Sequence, residues 1–146
     1  MRQPLHRSRR AAWGLMVAAC LGHGQALAAE PADITLELNK LEAGENGCRA
    51  YMVIDNRAET AFSAFKLDLV LFRPDGVIGK RLILDLAPVK PHKRSVKVFP
   101  VEGTPCDGFA NILINDVSEC RTDAGPVENC LARLELKSLS TAQLSK

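Results

Sequence analysis

Aromatic and histidine side chains are scarce in this chain of 146 residues. It holds five Phe, one Tyr, one Trp and three His, and both Trp13 and two of the histidines (His6 and His23) precede residue 28. Sites that stack sugars or nucleic-acid bases depend on aromatic platforms, so we expect neither kind of site here. Only His92 remains beyond that point, which excludes a metal site built from several imidazoles.

Motifs for catalysis and cofactor binding are also missing. There is no Gly-x-Ser-x-Gly and no glycine-rich phosphate loop. The closest cysteines after residue 28, Cys120 and Cys130, are too far apart for the short Cys pairs of structural zinc sites or for a Cys-x-x-Cys redox pair. We therefore predict no catalytic residue, no metal ligand and no cofactor, and interpret the chain as a non-enzyme.

The N-terminus has the order of a secretory signal peptide. "MRQPLHRSRR" carries four arginines and no acidic residue, the apolar run "AAWGLMVAACL" follows, and Ala26-Leu27-Ala28 supplies small residues for cleavage. The apolar run is too short for a bilayer span, which needs about 20 residues. We predict a signal peptide over residues 1–28, a single domain over 29–146 with its core at 34–137, and no transmembrane segment after cleavage.

Two features leave the export route and maturation open. Ser8-Arg9-Arg10 partly matches the twin-arginine motif, so both twin-arginine and general secretion are compatible with the sequence. Val17-Ala18-Ala19-Cys20 resembles a lipobox, which makes a lipid anchor on Cys20 the alternative to soluble export. We predict a periplasmic or secreted protein, with the lipid-anchored form as the alternative.

The basic character of the whole chain comes from the signal peptide. Removing residues 1–28 takes four of the 19 Lys and Arg residues and none of the 17 acidic ones, so the formal charge changes from +2 to −2. A nucleic-acid partner therefore has no support from net charge.

Period-two alternation dominates from Ile34 onward and indicates half-buried strands. "FKLDLVLF" alternates leucines with Lys66 and Asp68, and it ends in the turn Arg73-Pro74-Asp75-Gly76. Seven such segments follow one another in about 105 residues, with no amphipathic helix between them. We predict an all-β fold, a seven-stranded immunoglobulin-like antiparallel β-sandwich, with a closed barrel as the runner-up. The final segment, residues 138–146, has no pattern and is predicted to be a frayed tail.

Strand directions select a cysteine pairing. In a simple sandwich the second and sixth strands run the same way, so Cys48, which opens the second, and Cys106, just before the sixth, lie at one end. Cys120 closes the sixth strand and Cys130 opens the seventh, so both lie at the other end. The segment between Cys106 and Cys120 could span roughly 45 Å of extended chain, far beyond the ~5.5 Å Cα separation of a disulfide. We predict disulfides Cys48–Cys106 and Cys120–Cys130, so "ECRTDAGPVENC" is a stapled connection.

"YMVIDN", "FKLDLVLFRPDGVI" and "LAPVKPHKRSVKVF" together resemble small bacterial exported sandwiches of the FxLYD kind. In these a strand ends in hydrophobic-x-Asn, an alternating run leads into an Asp-Gly turn, and a later strand follows a Pro-rich loop. The whole chain is also similar to bacterial twin-arginine-signal proteins of unknown function. The resemblance implies an immunoglobulin-like fold over most of residues 34–137 and implies no activity.

Charge is segregated along the chain. Residues 80–97 carry six cationic side chains against one acid, whereas residues 102–135 carry seven acids against two cations. One interpretation is an exposed basic loop and an acidic opposite end, both of which serve solubility. The alternative is an interaction patch for an anionic partner, either a protein or lipid headgroups. The patch comprises Lys90, His92, Lys93, Arg94 and Lys97.

These observations favour an exported, non-catalytic binding module with an unknown protein partner in the cell envelope. The alternatives are an envelope structural or stress lipoprotein anchored through Cys20, and an enzyme of unknown class.

Overall fold

The computed structural model describes residues 32–146, which form two β-sheets packed face to face. The predicted signal peptide and Cys20 lie outside the described residues. The nine strands, numbered in chain order, are β1 (Ile34–Gly44), β2 (Gly47–Asn56), β3 (Ala64–Phe72), β4 (Ile78–Asp85), β5 (Lys93–Glu102), β6 (Asn111–Thr122), β7 (Gly125–Pro126), β8 (Leu134–Ser138) and β9 (Gln143–Ser145).

Sheet one has the strand order β5-β2-β1-β8, and sheet two has the order β4-β3-β6-β7 with β9 also paired to β6. The prediction of an all-β sandwich is confirmed, while its assignment to the immunoglobulin-like class stays a prediction. Two pairs, β1–β8 and β6–β9, are parallel, so the sheets are not purely antiparallel. Each of the seven predicted strands has a counterpart, and the short β7 and β9 are additional.

The core lies between the inner faces of the two sheets and follows the alternation in the sequence. On β3 the inward residues Phe65, Leu67, Leu69 and Leu71 are all buried. β1, β2 and β6 contribute alternating residues in the same way, because successive side chains of a strand point to opposite faces. These are Leu36, Leu38, Ala50, Met52, Ile54, Ile112 and Ile114.

The prediction of a frayed tail is wrong. Ala142 is buried, Gln143 N donates to Ala110 O at 2.9 Å, and β9 adds to sheet two beside β6. The last long strand also begins later than predicted, because residues 130–133 form a turn and β8 starts only at Leu134. The three-residue strand β9 forms because it pairs with β6, which is distant in the sequence, and the local sequence pattern carries no information about that pairing.

Both predicted disulfides are present. Cys48 on β2 bonds to Cys106 in the β5–β6 connection with a Cα separation of 4.8 Å. Cys120 on β6 bonds to Cys130 with a Cα separation of 6.5 Å. The residues between Cys120 and Cys130 include the β6–β7 hairpin, so this disulfide closes a loop that contains a short strand pair. The two disulfides indicate an oxidising, extracytoplasmic environment.

Candidate interaction surface

The predicted basic patch lies where the β4–β5 connection enters β5, an edge strand of sheet one. Lys90, His92, Lys93 and Arg94 are all exposed. His92 has a left-handed φ of 47°, and its amide donates to Ala58 O at 3.3 Å, which ties the turn to the β2–β3 connection. The connection therefore presents four basic side chains from a well-anchored turn.

Lys97 does not belong to this surface. On β5 the side chains of Ser95, Lys97 and Phe99 point toward the other sheet, whereas those of Arg94 and Val96 point outward. Half-buried Lys97 reaches across the open side of the sandwich, where its Nζ donates to Ala87 O at 3.0 Å. The structure thus places Lys90, His92, Lys93 and Arg94 around one turn, with Lys97 further along β5. Of the three patch residues on β5, Arg94 lies on the outer face, whereas Lys93 and Lys97 share the other face.

Acidic side chains neutralise only part of the patch. His92 Nε2 lies 2.8 Å from Glu59 Oε1, and Arg94 Nη2 lies 3.7 Å from Glu37 Oε1. Within residues 32–146, the ammonium groups of Lys90 and Lys93 contact no acidic side chain. Two of the four basic side chains of this turn therefore have no acidic side chain within ion-pair distance.

The expectation of an acidic opposite end is wrong in part. The end of β6 lies beside the basic connection, because Ser63 N donates to Arg121 O and Phe62 forms a bridge with Val89. The acids that flank the β6–β7 hairpin therefore share the end of the sandwich that carries the patch, while Glu102 and Asp107 lie toward the other end. Basic and acidic residues that are segregated along the sequence are therefore not segregated between the two ends of the sandwich.

An apolar stripe continues the basic surface along β5. Val96 and Val98 are 58% and 50% exposed on the outer face of sheet one, beside buried Val53 of the neighbouring strand. Sequence analysis did not identify them as surface residues, although alternation places them opposite inward-facing Phe99. The outer face of β5 therefore carries Arg94 followed by two exposed valines, a mixed basic and apolar surface.

Asn56 fixes the connection that carries the patch. Its fully buried side chain donates from Nδ2 to Thr60 O at 2.8 Å and to Lys90 O at 3.0 Å, and its Oδ1 accepts from Ala58 N at 3.1 Å. The asparagine of "YMVIDN" thus joins the β2–β3 and β4–β5 connections. It positions Lys90 through that residue's backbone.

A second polar cluster lies on the outer face of sheet two, where Asp68 is only 3% exposed. Arg81 on β4 donates to both carboxylate oxygens, and Asn115 Nδ2 donates to Oδ2 at 2.7 Å. These hydrogen bonds hold the pKa of Asp68 below its usual value of 3.8, with Arg81 the larger cause. Strand alternation alone predicts that Asp68 faces solvent, but Arg81 and Asn115 on the neighbouring strands cover it.

Two open clefts border β5. One of about 330 Å³ lies between the β1–β2 turn and residues 100–102, beside the Cys48–Cys106 disulfide. The other, of about 310 Å³, lies between β4 and β5 and is lined by Lys80, Leu82, Leu84 and Phe99 among others. Residues 32–146 contain no group of three or more His, Cys, Asp or Glu side chains placed to hold a metal ion. No helix within this range has the length and hydrophobicity to cross a bilayer.

No protein-family model, curated protein or solved structure matches this chain. The likeness to FxLYD-type domains therefore rests on the quoted sequence segments and stays a prediction.

Proposed function

We propose that this chain is an exported, non-catalytic interaction module that binds an acidic protein partner in the periplasm through the patch end of β5. One observation carries the proposal: Lys90 and Lys93 have no acidic partner within residues 32–146, and the exposed valines Val96 and Val98 lie on β5, the strand that begins at Lys93.

The two parts of this surface have different physical roles. The uncompensated cations create a positive field that accelerates encounter with an anionic surface and discriminates against basic proteins. The valines supply apolar area that leaves water when the partner docks. A partner that fits both has acidic side chains around a small apolar patch.

The environment supports the same proposal. The two disulfides indicate an oxidising compartment, and the predicted signal peptide supplies the route to it. The periplasm is an oxidising compartment that also contains many envelope proteins, which are the class of partner we propose.

The test is site-specific photo-crosslinking in the native envelope, with a photoreactive residue in place of Val98. We expect one dominant crosslinked protein, whose yield falls as ionic strength rises because exposed charges are screened. Replacing Lys90, Lys93 and Arg94 with alanine should lower the yield about tenfold, since each lost charge weakens the encounter modestly.

A matched control removes three positive charges elsewhere on sheet one. Lys40, Arg49 and Lys137 are comparably exposed and each already pairs with a glutamate. Their replacement by alanine should leave the crosslink yield unchanged. Equal yields from wild type and the patch variant, or equal losses from the patch and control variants, would overturn the proposal.

A further inference from the structure

β4 is an open edge of sheet two, and its free backbone groups follow from the ladder with β3. Leu86 N donates to Phe65 O at 2.8 Å, which makes these two residues a hydrogen-bonded pair in the register that sets Leu84 opposite Leu67. Hydrogen-bonded and non-hydrogen-bonded pairs alternate along an antiparallel ladder. The N–H and C=O groups of Arg81, Ile83 and Asp85 therefore point away from β3, toward the free edge.

The side chains of the same three residues are exposed on the outer face. Ile83 is 56% exposed, which is unusual for a large aliphatic residue. Nε and Nη2 of Arg81 donate to the carboxylate of Asp68, and the backbone N–H of Ala87 donates to Oδ1 of Asp85. Within residues 32–146, Nη1 of Arg81 and Oδ2 of Asp85 have no hydrogen-bond partner, although Asp85 also interacts electrostatically with Lys66, opposite it on β3. An exposed isoleucine thus stands between an arginine with a free donor and an aspartate with a free acceptor.

We propose that two copies of this chain associate through β4, with the strands antiparallel and centred on Ile83. In this register Arg81 of each copy stands opposite Asp85 of the other, and the two isoleucines meet at the twofold axis. Each of the three residue pairs exchanges two backbone hydrogen bonds, because all the groups concerned already point outward. The edge pairing joins the two copies of sheet two into one continuous sheet, an isologous contact.

Only this register is complementary. Shifting the copies by two residues sets Arg81 opposite Ile83 in one direction and Asp85 opposite Ile83 in the other. A shift by one residue would meet backbone groups that are already bonded to β3. Opposite charges across a strand pair stabilise it, whereas a charge opposite an apolar residue gains nothing.

β5, the open edge of sheet one, is a poorer candidate. Gly103 N donates to Asn46 O, so the same alternation points the backbone groups of Val96, Val98 and Pro100 outward. Self-pairing about Val98 would place Pro100, which has no N–H, opposite Val96. The outward carbonyl of Glu102 already accepts from Lys80 Nζ. Pro100 and the occupied carbonyl of Glu102 therefore disfavour edge-to-edge pairing of β5, whereas the edge of β4 has neither obstacle.

The test is sedimentation equilibrium of the purified, oxidised protein over a wide concentration range. We expect a monomer–dimer equilibrium in wild type. Ile83→Lys places two ammonium groups together at the axis and should weaken dimerisation roughly 100-fold or more. Asp85→Asn keeps the acceptor for the Ala87 amide but removes both interchain ion pairs, and should weaken dimerisation up to about tenfold.

The matched control is Val96→Lys, which makes the same change at a similarly exposed position, 58% against 56%, on the rival edge. We expect its dimerisation constant to equal that of wild type, and thermal unfolding checks that every variant is folded. Wild type that remains monomeric at its highest soluble concentration would overturn the proposal, as would loss of the dimer in Val96→Lys or its persistence in Ile83→Lys. This inference does not rest on the proposed binding function, since dimerisation is measured without a partner.

Discussion

Arg81 of β4 grips the buried carboxylate of Asp68 on β3 with two parallel hydrogen bonds, Nε to Oδ1 at 2.7 Å and Nη2 to Oδ2 at 2.6 Å. The guanidinium of Arg81 remains largely exposed, so the pair joins a solvent-exposed cation to a buried carboxylate. Such forked geometry gives direction as well as attraction, and it fixes the relative position of the two strands. The same arginine keeps a donor free at the edge of the sheet.

The pair predicts a specific acid sensitivity. Because the pKa of Asp68 is lower in the folded chain than in the unfolded one, its ionised form contributes stability above the unfolded value of 3.8. That contribution is lost as the pH falls through the folded pKa. The free energy of unfolding of wild type should therefore fall more steeply than that of Asp68→Asn between about pH 5 and pH 2, as measured by urea titration.

The comparison isolates Asp68 because other carboxylates with lowered pKa, those of Glu42, Asp75 and Glu135, are present in both proteins. Asp116→Asn, on the neighbouring strand and exposed, is the matched control and should keep the wild-type slope. Parallel pH profiles for wild type and Asp68→Asn would contradict this prediction.

The two disulfides should differ in their contribution to stability. Cys48–Cys106 closes a loop with a sequence separation of 58, and Cys120–Cys130 one with a separation of 10. On the chain-entropy model these loops correspond to about 4 and 3 kcal/mol. Replacing both cysteines of a pair with alanine should therefore cost more at Cys48–Cys106, as measured by denaturant unfolding. The reverse order would show that strain or residual structure outweighs loop length.

Gly47 offers a test of close backbone approach. It has a φ of 137°, and a Cβ at this position would lie 2.3 Å from Val101 O. Alanine here must displace the β2–β5 pairing beside Cys48, so we expect Gly47→Ala to cost roughly 3 kcal/mol or more. Gly76 also has a positive φ, 80°, but no heavy atom within 4 Å of its would-be Cβ. Gly76→Ala should therefore cost only about 1–2 kcal/mol, the conformational part alone. Equal costs would show that the contact at Gly47 relaxes freely.

Features carried by local alternation or by chain direction were predictable from the sequence. The leucines of β3 lie inward as their spacing indicates, and the pairing of Cys48 with Cys106 follows from which strands run the same way. The separation of Lys97 from Arg94 was also accessible, because three positions along a strand put side chains on opposite faces. Grouping them by sequence proximity ignored that periodicity.

Features that depend on a distant neighbour were not predictable. Alternation puts Asp68 on the outer face correctly, but only the approach of Arg81 and Asn115 from other strands buries it. The strand β9 is too short to show a period, and it exists because residues 111–113 of β6 offer it an edge. A single sequence contains no record of such non-local contacts.

Asn56 links the fold to the proposed binding surface. Its side chain is the common partner of Ala58 N, Thr60 O and Lys90 O, so Asn56→Ala would remove the partner of one part-buried backbone donor and of two carbonyls. We expect a loss of about 2–3 kcal/mol in the free energy of unfolding. Asn39→Ala is the matched control, because that amide is exposed and bonds only to Glu37, and it should stay within about 0.5 kcal/mol of wild type.

A purely global effect is distinguished from a local one by hydrogen exchange. The amides of Phe62 and Val89 bond to each other's carbonyls across the two connections that Asn56 joins, at 2.8 and 3.0 Å. In Asn56→Ala these two amides should lose more protection than the amide of Leu69 in the central strand β3, since the connections open without the sheet. Because the same opening releases Lys90, crosslinking from Val98 should weaken in parallel. Equal loss of protection at all three amides would mean that Asn56 supports the sandwich as a whole and does not specifically hold the patch.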